Sequence, residues 1–118
     1  MTANELHEYL LTFKDSFLDY PFGEDVAVYK IRLGSEEKMF ALVAEKSFPI
    51  RLSLKCDPHL AKILRERYES VMEGYHLNKK HWNTVLLTGQ LNIEEIKDLV
   101  VHSYQLVSGE KGTIPDYS

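Results

Sequence analysis

Cysteine is almost missing from this chain: Cys56 stands alone among 118 residues. One thiol excludes an internal disulfide framework and fits a reducing compartment. No CxxC pair and no HExxH run exist, and His7-Glu8 opens the latter without supplying its second histidine. The commonest zinc signatures are therefore absent. Long apolar runs are lacking as well. Nothing approaches the ~20 apolar residues of a membrane span, so no membrane partner is expected. Met1-Thr2-Ala3-Asn4-Glu5 lacks a basic region followed by an apolar one, so no secretory signal is expected and the cytoplasm is the expected location. There is no GxSxG elbow, and "GSEEK" lacks the spacing of a phosphate-binding glycine loop. Neither a cofactor nor an enzymatic activity is expected.

Positive charge is also in deficit. The net charge of −4 argues against a strongly basic nucleic-acid binder. Its distribution is uneven: residues 1 to 25 hold one lysine against six acids, and residues 92 to 118 hold two against five, whereas residues 26 to 91 hold eleven Lys/Arg against seven acids. An acidic frame around a basic centre suggests one anion-facing surface.

What remains is an ordinary globular composition, 44% hydrophobic and 27% charged, at single-domain size. Thr2-Ala3-Asn4-Glu5 reads as a capping box, and Leu6, Tyr9, Leu10, Phe13 and Phe17 recur at helical spacing up to about Asp19. Pro21 and Gly23 break that pattern. "VAVYKIRL", "KMFALVAEK" and "IRLSLKC" read as a three-strand meander; in the last, Ile50, Leu52, Leu54 and Cys56 alternate with the polar face of Arg51, Ser53 and Lys55. Asp57-Pro58 starts a second helix through Leu60, Ile63, Leu64, Tyr68 and Val71, ended by Gly74. "YHLNKKHWNTVLL" predicts a hairpin turning at Asn78-Lys79, its second strand running from about Lys80 to Leu87. Asn92 and Glu95 open a last helix through Val107. The predicted order is α-β-β-β-α-β-β-α: a two-layer α+β sandwich, its antiparallel sheet covered by helices on one face. One domain is expected over residues 1 to 109, with a mobile polar tail over 110 to 118.

"HLNKKHWNTVLL", preceded by "LKCDPHLAKILRERY", "YPFGED" and "KMFAL", resembles the MmcQ/YjbR-like family of small bacterial proteins, roughly from Leu6 to Val107. Asn78-Lys79 followed by His81-Trp82 is the most specific element. The chain departs from the family pattern at Glu37, where glycine is expected, and at Glu73, where proline is frequent. The resemblance implies a frataxin-like α+β fold and DNA binding through a double-wing arrangement.

The stretch "GYHLNKKHW" is open to three readings: architecture, a phosphate-touching wing, or part of a metal or catalytic site. A two-residue turn at Asn78-Lys79 would set His76 opposite His81, but two histidines fall short of a zinc set, and packed or surface histidines are favoured. Glu5, Glu8, Asp15 and Asp19 read better as a solvated helix face than as iron ligands. Trp82 reads as core or interface before base platform, and Cys56 as a small core residue. The DNA reading uses His76, Asn78, Lys79, Lys80 and His81 on the hairpin of residues 74 to 84, with Arg51 and Lys55 extending the surface. DNA binding of this kind is expected to be weak and salt-sensitive. The alternative is a non-catalytic protein- or small-ligand-interaction module in which the hairpin is architectural.

Overall fold

In the computed structural model, residues 1–109 are described, and the tail expected over 110–118 lies outside them. Helix α1 (Ala3–Leu10) begins with the capping box expected of Thr2 and Glu5. It stops well before Asp19. The Thr12 hydroxyl donates to the Tyr9 carbonyl at 2.6 Å and the Ser16 hydroxyl to that of Phe13 at 2.7 Å, taking acceptors that a longer helix would use. Asp15 then turns the chain at φ 62°, and Ser16–Asp19 becomes strand β1 at the sheet edge. Phe13 still reaches the core, its ring 4.9 Å from that of Tyr104.

The expected meander follows as β2 (Ala27–Leu33), β3 (Glu36–Ala44) and β4 (Arg51–Lys55). Gly34, at φ 62°, and Ser35 make the tight turn between Leu33 and Glu36, so Glu37 sits comfortably in the strand, bonded to Arg32 at 3.2 Å. Helix α2 (Pro58–Arg67) has Asp57 as N-cap and Pro58 in its first turn. It ends at Arg67, earlier than Gly74. Tyr68 is extended, and Val71 falls in strand β5 (Val71–Glu73), paired with β6 (Trp82–Leu86). A β-branched residue beside an unfilled sheet edge gains a ladder there that a helix would deny it. Helix α3 (Ile93–Ser108) carries the Asn92/Glu95 capping box and closes on Gly109 at φ 79°.

The six strands form one antiparallel sheet in the order β1-β2-β3-β4-β6-β5. One face carries the main core, where Tyr29, Phe40, Leu52, Leu54 and Val85 meet Leu6 and Leu10 of α1, Leu60 and Leu64 of α2, and Ile96 to Val107 of α3. This is the expected two-layer α+β sandwich, with Ile50 half-buried at its margin. Side chains also dock α3: Ser103 donates to the Phe40 carbonyl at 2.6 Å and accepts from the Lys55 amide at 2.9 Å, while His102 accepts from the Asp57 amide at 3.1 Å. Among the described residues no helix is long and apolar enough to cross a membrane.

Candidate functional site on the open face of the sheet

The face turned away from the helices would be wet if strand alternation alone decided it. Instead Val28, Leu42 and Trp82 form a second buried cluster there, with Val26, Met39 and Leu77 packed against it. Leu77 belongs to no strand. It comes from the connection 74–81, which folds back over the sheet instead of projecting from it.

Its path is determined residue by residue. The Gly74 amide donates to the Trp82 carbonyl at 2.9 Å, and a Cβ on Gly74 would lie 2.8 Å from that of Trp82. The Tyr75 amide donates to Thr84 Oγ1 at 3.0 Å, and His76, at φ 58°, reverses the chain. Asn78 closes the far end: Oδ1 accepts from the Lys80 amide at 3.0 Å, and its carbonyl accepts from the amides of His81 and Trp82 at 3.3 and 3.0 Å. The two-residue turn is thereby corrected to an eight-residue connection. Neither His76 nor His81 lies in a strand, so the register that would oppose their imidazoles does not exist. Among the described residues no group of three or more His, Cys, Asp or Glu is placed to hold a metal ion. Asp15 and Asp19 have left the helix that would align them with Glu5 and Glu8, and Asp19 bonds Lys30 at 2.8 Å, which together with the Tyr20 amide lowers its pKa.

The remaining polar residues of the motif divide by role. Asn83, 3% exposed, accepts from Arg65 at 2.8 Å and donates to the Ala61 carbonyl at 3.2 Å, tying β6 to α2. Arg65 also reaches the Lys79 carbonyl at 3.3 Å, and the half-buried His81 gives its carbonyl to the Cys56 amide at 2.8 Å. Cys56 itself is buried, and burial, with Asp57 adding to it, pushes its thiol up to about 12, far from a nucleophile. Asn78, Lys79 and Lys80 are exposed at the far end, where Lys79 faces Glu73 at 3.7 Å. Lys55 stands opposite Trp82 in the ladder.

Between the folded-back segment, the sheet and the loop before β2 lies a groove of about 340 Å³. Phe22, Val26, Leu42, Ala44 and Leu77 supply its apolar walls. Arg51, Ser53, Tyr75 and His76 supply its polar groups, and no acid lines it. The Arg51 guanidinium lies 4.5 Å from the Tyr75 ring centre, and the Tyr75 and His76 rings meet edge-on at 4.1 Å. Ser53 and Thr84 hydroxyls share a hydrogen bond of 2.8 Å beneath them. Of the residues singled out in the sequence, the groove gathers Arg51 and His76, leaving Asn78, Lys79, Lys80, His81 and Lys55 outside its lining. Sequence reasoning missed Phe22, Ser53 and Tyr75. A signal existed for Phe22, since an aromatic between Pro21 and Gly23 in a turn has no strand or helix to bury it, and it is 65% exposed.

The same architecture occurs in solved structures. A Deinococcus radiodurans protein matches with a TM-score of 0.87 at 35% identity, over 98% of this chain and 90% of that one. A Pseudomonas syringae protein matches with a TM-score of 0.75 at 33% identity, over 91% and 99%. In sequence, the chain is 36% identical over 105 residues to the uncharacterized protein YjbR of Escherichia coli, covering 89% of this chain and 86% of that protein. It is 28% identical over 99 residues to the uncharacterized protein YyaQ of Bacillus subtilis, covering 75% of this chain and 82% of the relative. The YjbR family model matches residues 11–106, which span the whole sheet and most of the last helix: the chain belongs to the YjbR family.

Proposed function

We propose that this chain is a non-enzymatic binding module whose ligand site is the groove on the open face, with segment 74–81 as its wall. The observation that carries this reading is the way the segment lies: Tyr75, His76 and Leu77 line a concave, mostly apolar site of about 340 Å³. Such concavity with a few convergent polar groups is what small-ligand sites are made of. The one serine in its lining, Ser53, bonds the Thr84 hydroxyl at 2.8 Å rather than an imidazole, and burial pushes the Cys56 thiol up to about 12.

A second reading is favoured by the exposure of Asn78, Lys79 and Lys80 at the far end of the segment. In that reading the chain binds DNA through phosphate contacts of His76, Asn78, Lys79, Lys80 and His81, extended by Arg51 and Lys55. Each neutralised phosphate would contribute a slope of about −0.9 in log K against log salt. Three considerations weaken it. Lys79 already faces Glu73 at 3.7 Å, His81 is half-buried, and Arg51 is turned to Tyr75.

NMR titration of the labelled protein separates the two, with a fragment mixture in one arm and duplex and single-stranded oligonucleotides at two salt concentrations in the other. Fragments should shift the amides of Leu42, Ser53, Tyr75 and Leu77 saturably. Salt-dependent shifts from DNA confined to residues 78–81, with no fragment effect in the groove, would replace the module reading by the DNA one.

A further inference from the structure

The groove holds an unanswered cation. Arg51 is half-buried, lies against the Tyr75 ring, and makes no ion pair among the described residues. Elsewhere on this face Lys30 meets Asp19 at 2.8 Å and Arg32 meets Glu37 at 3.2 Å, while Lys55 lies outside the groove lining, so Arg51 is the cation that the groove itself presents. Stacking on Tyr75 occupies one face of the guanidinium and leaves its N–H edge, with a planar fork of donors, available sideways.

A second observation points the same way. Ser53 and Thr84 carry two hydroxyl hydrogens between them, and one lies in their shared bond. Thr84 Oγ1 already accepts from the Tyr75 amide, and Thr84 is fully buried. If Ser53 donated to Thr84, the threonine hydrogen would be left without an acceptor in the interior, at a desolvation cost. The better arrangement has Thr84 donating to Ser53. The Ser53 hydrogen is then free, on a side chain only 7% exposed whose residue lines the groove.

Resting on the groove reading above, we infer that the site takes a small organic carboxylate with a flat apolar body. A carboxylate matches the fork of Arg51 in charge and shape and accepts the Ser53 hydrogen, while Phe22, Leu42 and Leu77 cover the ring. One unpaired guanidinium in an apolar site suits a monoanion better than a phosphate dianion, whose second charge would be desolvated without compensation. The volume, at the lower end of the usual ~300–1,000 Å³, limits the ligand to one or two fused rings.

The test compares 2-naphthoate with its neutral isostere 2-naphthamide by NMR titration of the wild-type protein, then repeats the acid on Arg51→Met and Ser53→Ala, with thermal melts confirming that each variant folds. The acid should shift groove amides saturably and bind at least tenfold more tightly than the amide. Arg51→Met should remove that preference, and Ser53→Ala should reduce it severalfold. Equal binding of acid and amide would overturn the carboxylate assignment while leaving the groove reading in place. Failure of both to bind would remove both readings. An Arg51→Met variant that melts like the wild type and keeps the preference would show that the anion sits elsewhere. Should that variant not fold, the acid-to-amide ratio of the wild type decides alone. Tighter binding of phenyl phosphate, or of oligothymidylate at the same amides, would overturn the inference in favour of a phosphate ligand.

Discussion

At Trp82 and Gly74 two side chains, one of them missing, decide whether the open face can close. Trp82 is 9% exposed against Val28 and Leu42, so Trp82→Ala should cost about 3–5 kcal/mol as a buried large-to-small change, read from the urea midpoint. Gly74→Ala tests the same contact from the other side. Its methyl would meet Trp82 Cβ at 2.8 Å and the Trp82 carbonyl at 3.0 Å, atoms close to the main chain that have little room to yield. A loss of about 1–3 kcal/mol is expected, together with shifts at Tyr75 and Leu77, whereas an unchanged midpoint would mean that the segment does not pack on the sheet. Trp82 was readable from strand alternation, which sets it beside Thr84 and apart from Val85. Gly74 was readable only as a break, because its tight approach to Trp82 depends on a pairing that residue spacing does not encode.

Segment 74–81 shows at the scale of an element where sequence patterns fall short. Asn-Lys between β-prone residues resembles a short hairpin turn, yet the side chain of Asn78 bonds forward to Lys80 while its carbonyl takes two amides. The local chemistry of Asn was the right cue, assigned to a turn of the wrong length. Helices α1 and α2 were overextended for a related reason: Phe17 and Val71 continue an apolar period, but vacant sheet edges beside β2 and β6 claim them. Periodicity reports which residues want burial, not which element buries them. The lysine pair tests what the segment does beyond packing. Lys79 is 65% exposed in its side chain and its contact with Glu73 is 3.7 Å, so Lys79→Ala/Lys80→Ala should change stability by less than about 1 kcal/mol. Oligonucleotide titration of this variant should match the wild type if the segment is a wall. A weaker, flatter salt dependence would instead identify phosphate contacts at its far end.

For the molecule as a whole, the two-layer architecture was legible because Leu52, Leu54 and Cys56 alternate cleanly with polar neighbours and three caps mark the helices, whereas the groove was not, since it joins β3, β4, the loop before β2 and segment 74–81. Docking of the last helix onto the sheet is equally non-local, and it makes global stability depend on pH. His102 is 4% exposed, and Nε2 accepts the Asp57 amide, so the ring is neutral with its proton on Nδ1. Protonation would place a donor against a donor and a charge in the core. Burial lowers its pKa, with Asp57 opposing more weakly. Because the folded pKa lies below the unfolded value near 6.5, the unfolded chain binds more protons in that window. The contribution of neutral His102 is therefore fully present above about pH 6.5 and is lost as pH falls through the lowered folded pKa. Urea unfolding at pH 7.5, 6.5, 5.5 and 4.5 should show a declining free energy over the lower range in the wild type. His102→Gln removes the titrating ring and should decline less steeply over the same interval, even if its stability at pH 7.5 is lower. Parallel profiles for the two proteins would place the acid sensitivity in other groups and leave the α3 contact without a proton linkage.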